Sequence, residues 1–76
     1  MAQHQLDARY LLCPLPVIRT QQKIAGLDDG DRLEVAATDP GVLEDIPAWC
    51  RVHGHRFHGS RREGETLFLD IEVTRP

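Results

Sequence analysis

The chain has 76 residues, 41% hydrophobic and 28% charged, an ordinary globular composition close to the lower length limit at which one core supports folding without metal or disulfide staples. Its formal net charge of -3 argues against a phosphate-binding surface, because nucleic-acid affinity is largely counterion release from clustered Lys and Arg. No stretch reaches the apolar length that spans a bilayer, and the start Met1-Ala2-Gln3-His4-Gln5 lacks the regions of a signal peptide. A cytoplasmic protein with no membrane and no direct nucleic-acid partner is therefore expected.

No internal repeat, low-complexity tract or linker interrupts the chain, which predicts a single domain over residues 1–76 with its core over about residues 5–74. Residues 5–10 alternate polar and less polar positions and predict a short strand. The run Cys13-Pro14-Leu15-Pro16 follows, and proline directly after the cysteine suits the first position of a helix, which places Cys13 at the N-cap. From Pro14 onward a helical wheel gathers Pro14, Val17, Ile18, Ile24 and Ala25 on one arc, with Arg19, Thr20 and Lys23 opposite and Gly26 as the stop.

Residues 32–38 put Leu33, Val35 and Ala37 on one face of a second strand. Asp39-Pro40-Gly41 opens a second helix, with Asp39 as a capping side chain and Val42, Leu43, Ile46, Trp49, Cys50 and His53 on a single arc. Pro47 predicts either a kink or a fresh start capped by Asp45, and Gly54 ends the helix. The remainder predicts a hairpin: residues 55–61, a turn at Arg62-Glu63-Gly64, then Leu67, Leu69, Ile71 and Val73 alternating with polar positions. Elements in the order βαβαββ, each with one apolar face, predict a two-layer α/β (α+β) sandwich with two helices on one face of a four-stranded mixed sheet. The first two strands run parallel through a helical crossover.

Chemistry centres on Cys13. A thiol at a helix N-terminus feels the partial positive charge of unpaired N–H groups, so its pKa is expected to fall and yield the nucleophilic thiolate. The alternative is a buried, inert cysteine, since an isolated Cys-Pro is common by chance. Pro14 and Pro16 stiffen the first turn, and Asp7 and Arg9 flank the loop as candidates to fix it by hydrogen bonds. Tyr10, Leu12 and Leu15 are candidate docking groups, with Arg19 and Lys23 as a basic pair that steers an acidic partner; of Leu11 and Leu12, one is expected to point into the core. Cys50, on the apolar arc, reads as a small core residue, with a resolving thiol as the alternative. His53, His55 and His58 do not form a closed ligand set with it, so no metal is expected.

The segment from Leu6 to Val17, with Cys13-Pro14-Leu15-Pro16 at its heart, resembles the CPxP signature of the TusA/SirA sulfur-carrier family. Thr38-Asp39-Pro40-Gly41, Asp45-Ile46-Pro47-Ala48-Trp49-Cys50 and Gly54-His55 follow in the family's order and spacing, extending the resemblance from Leu6 to Val73. The resemblance implies a sulfurtransferase without cofactor that accepts a sulfane sulfur as a persulfide on Cys13. The donor it implies is a cysteine desulfurase or a rhodanese-type protein, and the sulfur passes to a downstream acceptor in tRNA thiolation, cofactor assembly or sulfur oxidation. Family members usually carry glycine where this chain has Tyr10, and often a polar or basic residue in place of Leu12. A regulatory interaction module, or a thiol-disulfide protein pairing Cys13 with Cys50, are the competing readings.

Overall fold

Alternation of side chains begins earlier than the pattern suggests: in the computed structural model, which describes residues 2–76, β1 spans Gln3–Ala8. Its partner β2 (Arg32–Ala37) runs parallel to it in register from Gln3↔Arg32 to Ala8↔Ala37. β1 stops at Ala8, two residues short of the expected end, because the chain turns at Tyr10, whose φ is +65°. α1 (Leu15–Ile24) connects the two strands, α2 (Val42–His53) follows β2, and β3 (Arg56–Glu63) and β4 (Thr66–Glu72) complete the βαβαββ order. The sheet order is β1-β2-β4-β3, with β4 antiparallel to both neighbours.

Cross-strand pairs place the core on one face of this sheet. Leu33 opposes Ile71, Val35 opposes Leu69 and Ala37 opposes Leu67, and all six are buried. Ile24, Val42, Ile46 and Cys50 from the helices close over them, so both helices lie on the same side, as expected of a two-layer sandwich. The opposite face stays open and carries paired charges: Arg61 bonds Glu34 and lies 4.4 Å over the Phe68 ring, and Arg32 pairs with Asp70.

Three details correct the pattern. In α1 the buried stripe is Pro16, Thr20 and Ile24, with Val17 half-buried, while Pro14, Ile18 and Ala25 are exposed. Thr20 tolerates full burial because its Oγ1 donates to the Pro16 carbonyl at 2.8 Å. α2 passes through Pro47 without a new cap: proline removes only the bond to the Leu43 carbonyl, and Val42, Ile46 and Cys50 hold the helix down on both sides. The hairpin turn lies at Gly64-Glu65, where Gly64 has φ +62°, and β3 shifts register between Phe57 and Gly59.

Trp49 is only half-buried, at the rim of the core rather than its centre. Its ring stacks on His55 at 5.3 Å and meets His53 at 4.7 Å. His55 Nδ1 accepts the Thr74 N–H at 3.1 Å, a role open only to the unprotonated nitrogen. Burial, followed by the charges of Arg75 and His53, lowers the His55 pKa. The unfolded chain takes up this proton near an ordinary histidine pKa of about 6.5, whereas the folded chain resists it until lower pH. Stability from His55 is thus complete above that value and is lost as pH falls through the depressed folded pKa. Urea titrations at about pH 7.5 and about pH 5.5 should show a weaker fold in acid, and His55→Gln should lose that part of the difference. An unaltered pH dependence in the variant would remove His55 from the cause.

Candidate functional site

Parallel pairing of Ala8 with Ala37 brings the exits of β1 and β2 to one edge of the sheet, so the loop carrying Cys13 meets the loop that begins at Thr38. Three hydrogen bonds join them and α2. The Tyr10 N–H donates to Thr38 Oγ1 at 2.9 Å, and the Cys13 N–H donates to Asp39 Oδ2 at 2.9 Å. The Cys13 thiol donates to Asp45 Oδ2 at 3.1 Å. Asp39 has its other oxygen on the Gly41 N–H at 3.0 Å, so one carboxylate shapes the start of α2 and anchors the cysteine. These two backbone donors hold the Asp39 pKa low.

The first helical residue is Leu15 and the N-cap is Pro14, which leaves Cys13 one residue outside the cap, joined to Pro14 by a cis peptide. The expected lowering of the thiol pKa is overturned. The hydrogen bond to Asp45 raises it, helped by desolvation and by the negative charges of Asp45 and Asp39. An anionic acceptor stabilises S–H and opposes S⁻, and the sulfur is not the capping group of the α1 terminus. Cys13 is nonetheless exposed, not an inert core cysteine.

Asp7 and Arg9 bond to each other rather than to the cysteine loop. Asp7 Oδ1 accepts from the Arg9 N–H and Nε at 3.1 and 2.9 Å, and its carboxyl falls to about 2. Their pairing shapes the exit from β1, and Thr38, Asp39 and Asp45 do the positioning instead. Pro14 is exposed, and Pro16 lies on the buried face of α1. Leu11 packs half-buried against the core, while Tyr10 and Leu12 are 74% and 72% exposed. Leu15 and Ile18 continue this apolar surface, with Arg19 and Lys23 exposed on the same helix. Ile18 escaped the helical wheel, which assigned it to the core.

Cys50 is buried, and desolvation pushes its thiol up to about 11. Both cysteines are free. Among the described residues no group of three or more His, Cys, Asp or Glu side chains is placed to hold a metal ion, and no helix is long and apolar enough to cross a membrane.

The profile of the family described as sulfurtransferase TusA matches residues 4–73. The chain belongs to the TusA family. Among TusA relatives, the sulfur carrier protein TusA of Pseudomonas syringae pv. syringae is 42% identical over 67 residues, covering 88% of this chain and 80% of that one. The sulfur carrier protein TusA of Allochromatium vinosum is 38% identical over 60 residues, 79% of each chain. YrkF of Bacillus subtilis is 42% identical over 62 residues, but this chain spans only 34% of its length. The TusA fold is shared with the crystal structure of a SirA-like protein from Desulfitobacterium hafniense at a TM-score of 0.83 and 19% identity, covering 95% of this chain and 99% of that one.

Proposed function

We propose that this TusA-family chain carries sulfur as a persulfide on Cys13, accepting it from a cysteine desulfurase or a rhodanese-type donor and handing it to a downstream acceptor. The observation that carries this reading is an exposed thiol held by its own N–H and Sγ against two carboxylates at the edge of a rigid sandwich. A carrier needs a sulfur that partners can reach and a frame that presents it in the same way each time. Membership of a family whose named members are sulfur carriers adds independent support.

Transfer needs no external redox agent. A donor persulfide R–S–SH and Cys13–SH give R–SH and Cys13–S–SH, and the second transfer repeats the exchange with Cys13 as donor. Tyr10, Leu12 and Leu15, now with Ile18, supply apolar area for docking, and Arg19 and Lys23 add attraction toward acidic partners. The acceptors in view are those of tRNA thiolation, cofactor assembly or sulfur oxidation. Disulfide chemistry between Cys13 and Cys50 finds no support, since Cys50 lies in the core with a strongly raised pKa.

Incubation with a desulfurase, cysteine and pyridoxal phosphate, or with a thiosulfate-charged rhodanese, should add about 32 Da, reversibly by reductant and localised to Cys13 by peptide mapping. No gain from either donor, or a gain on Cys50, would overturn the proposal.

A further inference from the structure

Asp45 is the titratable side chain that touches the sulfur of Cys13, at 3.1 Å. Its backbone is held in the first turn of α2, where its N–H bonds the Gly41 carbonyl at 3.0 Å, and the residue is half-buried. The neighbouring acid is already occupied: Asp39 has one oxygen on the Cys13 N–H and the other on the Gly41 N–H. The nearest arginine in sequence, Arg9, is held by Asp7. Tyr10, Leu12 and Leu15, all within three residues of Cys13, are exposed apolar groups. A partner seated on them excludes water from the sulfur at the moment of transfer, and a proton must then move between groups of the interface itself.

We propose that Asp45 is a proton relay for sulfur acceptance, a catalytic role that rests on the persulfide reading above. The Sγ–H bond of Cys13 breaks and its proton passes to Asp45 Oδ2 while the freed electron pair forms a new S–S bond to the terminal sulfur of the donor persulfide. The donor's own S–S bond breaks, its electron pair leaves on the donor cysteine sulfur, and the proton on Asp45 is returned there. Cys13 rises to the persulfide level as the donor cysteine falls to the thiol, and the proton count is unchanged.

In open water the same contact acts in the opposite sense. The carboxylate keeps the proton on sulfur, so a small electrophile meets mainly the unreactive thiol, while solvent offers an alternative proton acceptor. Loss of the carboxylate therefore separates two rates that a simple displacement of the sulfur would move together.

The test is Asp45→Asn, close in shape to the parent, with its folding checked by thermal melting and Asp45→Ser as the substitute if it does not fold. Each protein receives the same donor, a desulfurase fed with cysteine or a thiosulfate-charged rhodanese, whichever loads the parent faster, and single-turnover acceptance is followed by intact mass. Alkylation of Cys13 by iodoacetamide at neutral pH is measured in parallel. Acceptance should slow at least about tenfold while alkylation becomes faster. Acceptance at the parent rate overturns the relay, and so does a slowing of both reactions together. If the parent itself takes up no sulfur from either donor, the persulfide reading fails and the relay with it; if parent and variant load equally, only the relay fails.

Discussion

Exchange of Cys13 for serine should abolish sulfur loading from every donor while leaving the melting temperature nearly unchanged, and exchange of Cys50 for alanine should do the reverse. Cys13 is exposed and its contacts to Asp39 and Asp45 lie at the surface, so a hydroxyl of similar shape keeps the N–H tether and can donate to the same carboxylate. A hydroxyl cannot hold a sulfane sulfur under these conditions, so the loss of loading is complete. Cys50 is buried between α2 and the sheet, and truncation leaves a small cavity that costs about 1–2 kcal/mol. Intact mass and thermal melting of both variants check the pair. Loading that survives Cys13→Ser and vanishes with Cys50→Ala would reverse the assignment of the sulfur site.

The largest loss of stability should come from Ile46→Ala. Ile46 is fully buried midway along the Val42-Ile46-Cys50 stripe, where α2 meets the sheet, and removal of its three outer carbons costs about 2–5 kcal/mol. That is a large share of the stability of so short a domain, and at about 4–8 °C per kcal/mol it lowers the melting point by about 8 °C or more. Trp49→Ala should cost less, about 1–2 kcal/mol, although tryptophan is the larger side chain. Its ring is half-exposed against His53 and His55, and its shielded Nε1 has no hydrogen-bond partner, so truncation also removes an unsatisfied donor. Melting curves of the two variants decide the order; a Trp49→Ala protein less stable than Ile46→Ala would place the centre of the core at the tryptophan.

Those two residues show what a sequence pattern can and cannot convey. Period-two alternation in Leu33-Val35-Ala37 and Leu67-Leu69-Ile71 specified the strands and their buried face, because one register alone satisfies it. A helical wheel is less restrictive. It grouped Trp49 and His53 with Ile46, and Ile18 with Val17, since an arc wide enough to hold all of them is still one face; the structure buries only the i, i+4, i+8 stripes. Cys13 itself was legible from its two prolines and the spacing of the later motifs. Its surroundings were not, because Asp39 and Asp45 reach it, and Thr38 reaches its loop at Tyr10, across 26 to 32 residues, through a parallel pairing that places two loop exits together. Local reading gave Asp39 and Asp45 capping roles, for which a short acidic side chain before a helix is the ordinary sign; Asp39 does bond the Gly41 N–H at the start of α2, whereas Asp45 turns to the sulfur instead. The sign of the Cys13 pKa followed the same error: the dipole of α1 was visible in the sequence, and the carboxylate from α2 was not.

The register shift in β3 bears on how such a protein behaves in a crowded solution. β1 and β3 are the two outer strands, and an unpaired strand edge invites a second copy to add to the sheet. β3 is kinked between Phe57 and Gly59, where Gly59 has φ +132°, and Arg56, Arg61 and Arg62 line its length. An irregular edge that carries Arg56 and Arg62 fits poorly against its own image, which disfavours ladder growth on the side of the sheet away from the cysteine. β1 has no such break, but it is only six residues long, and its far end runs into the Asp7–Arg9 pair. Both margins of the sheet thus discourage lasting union with a second copy of the chain.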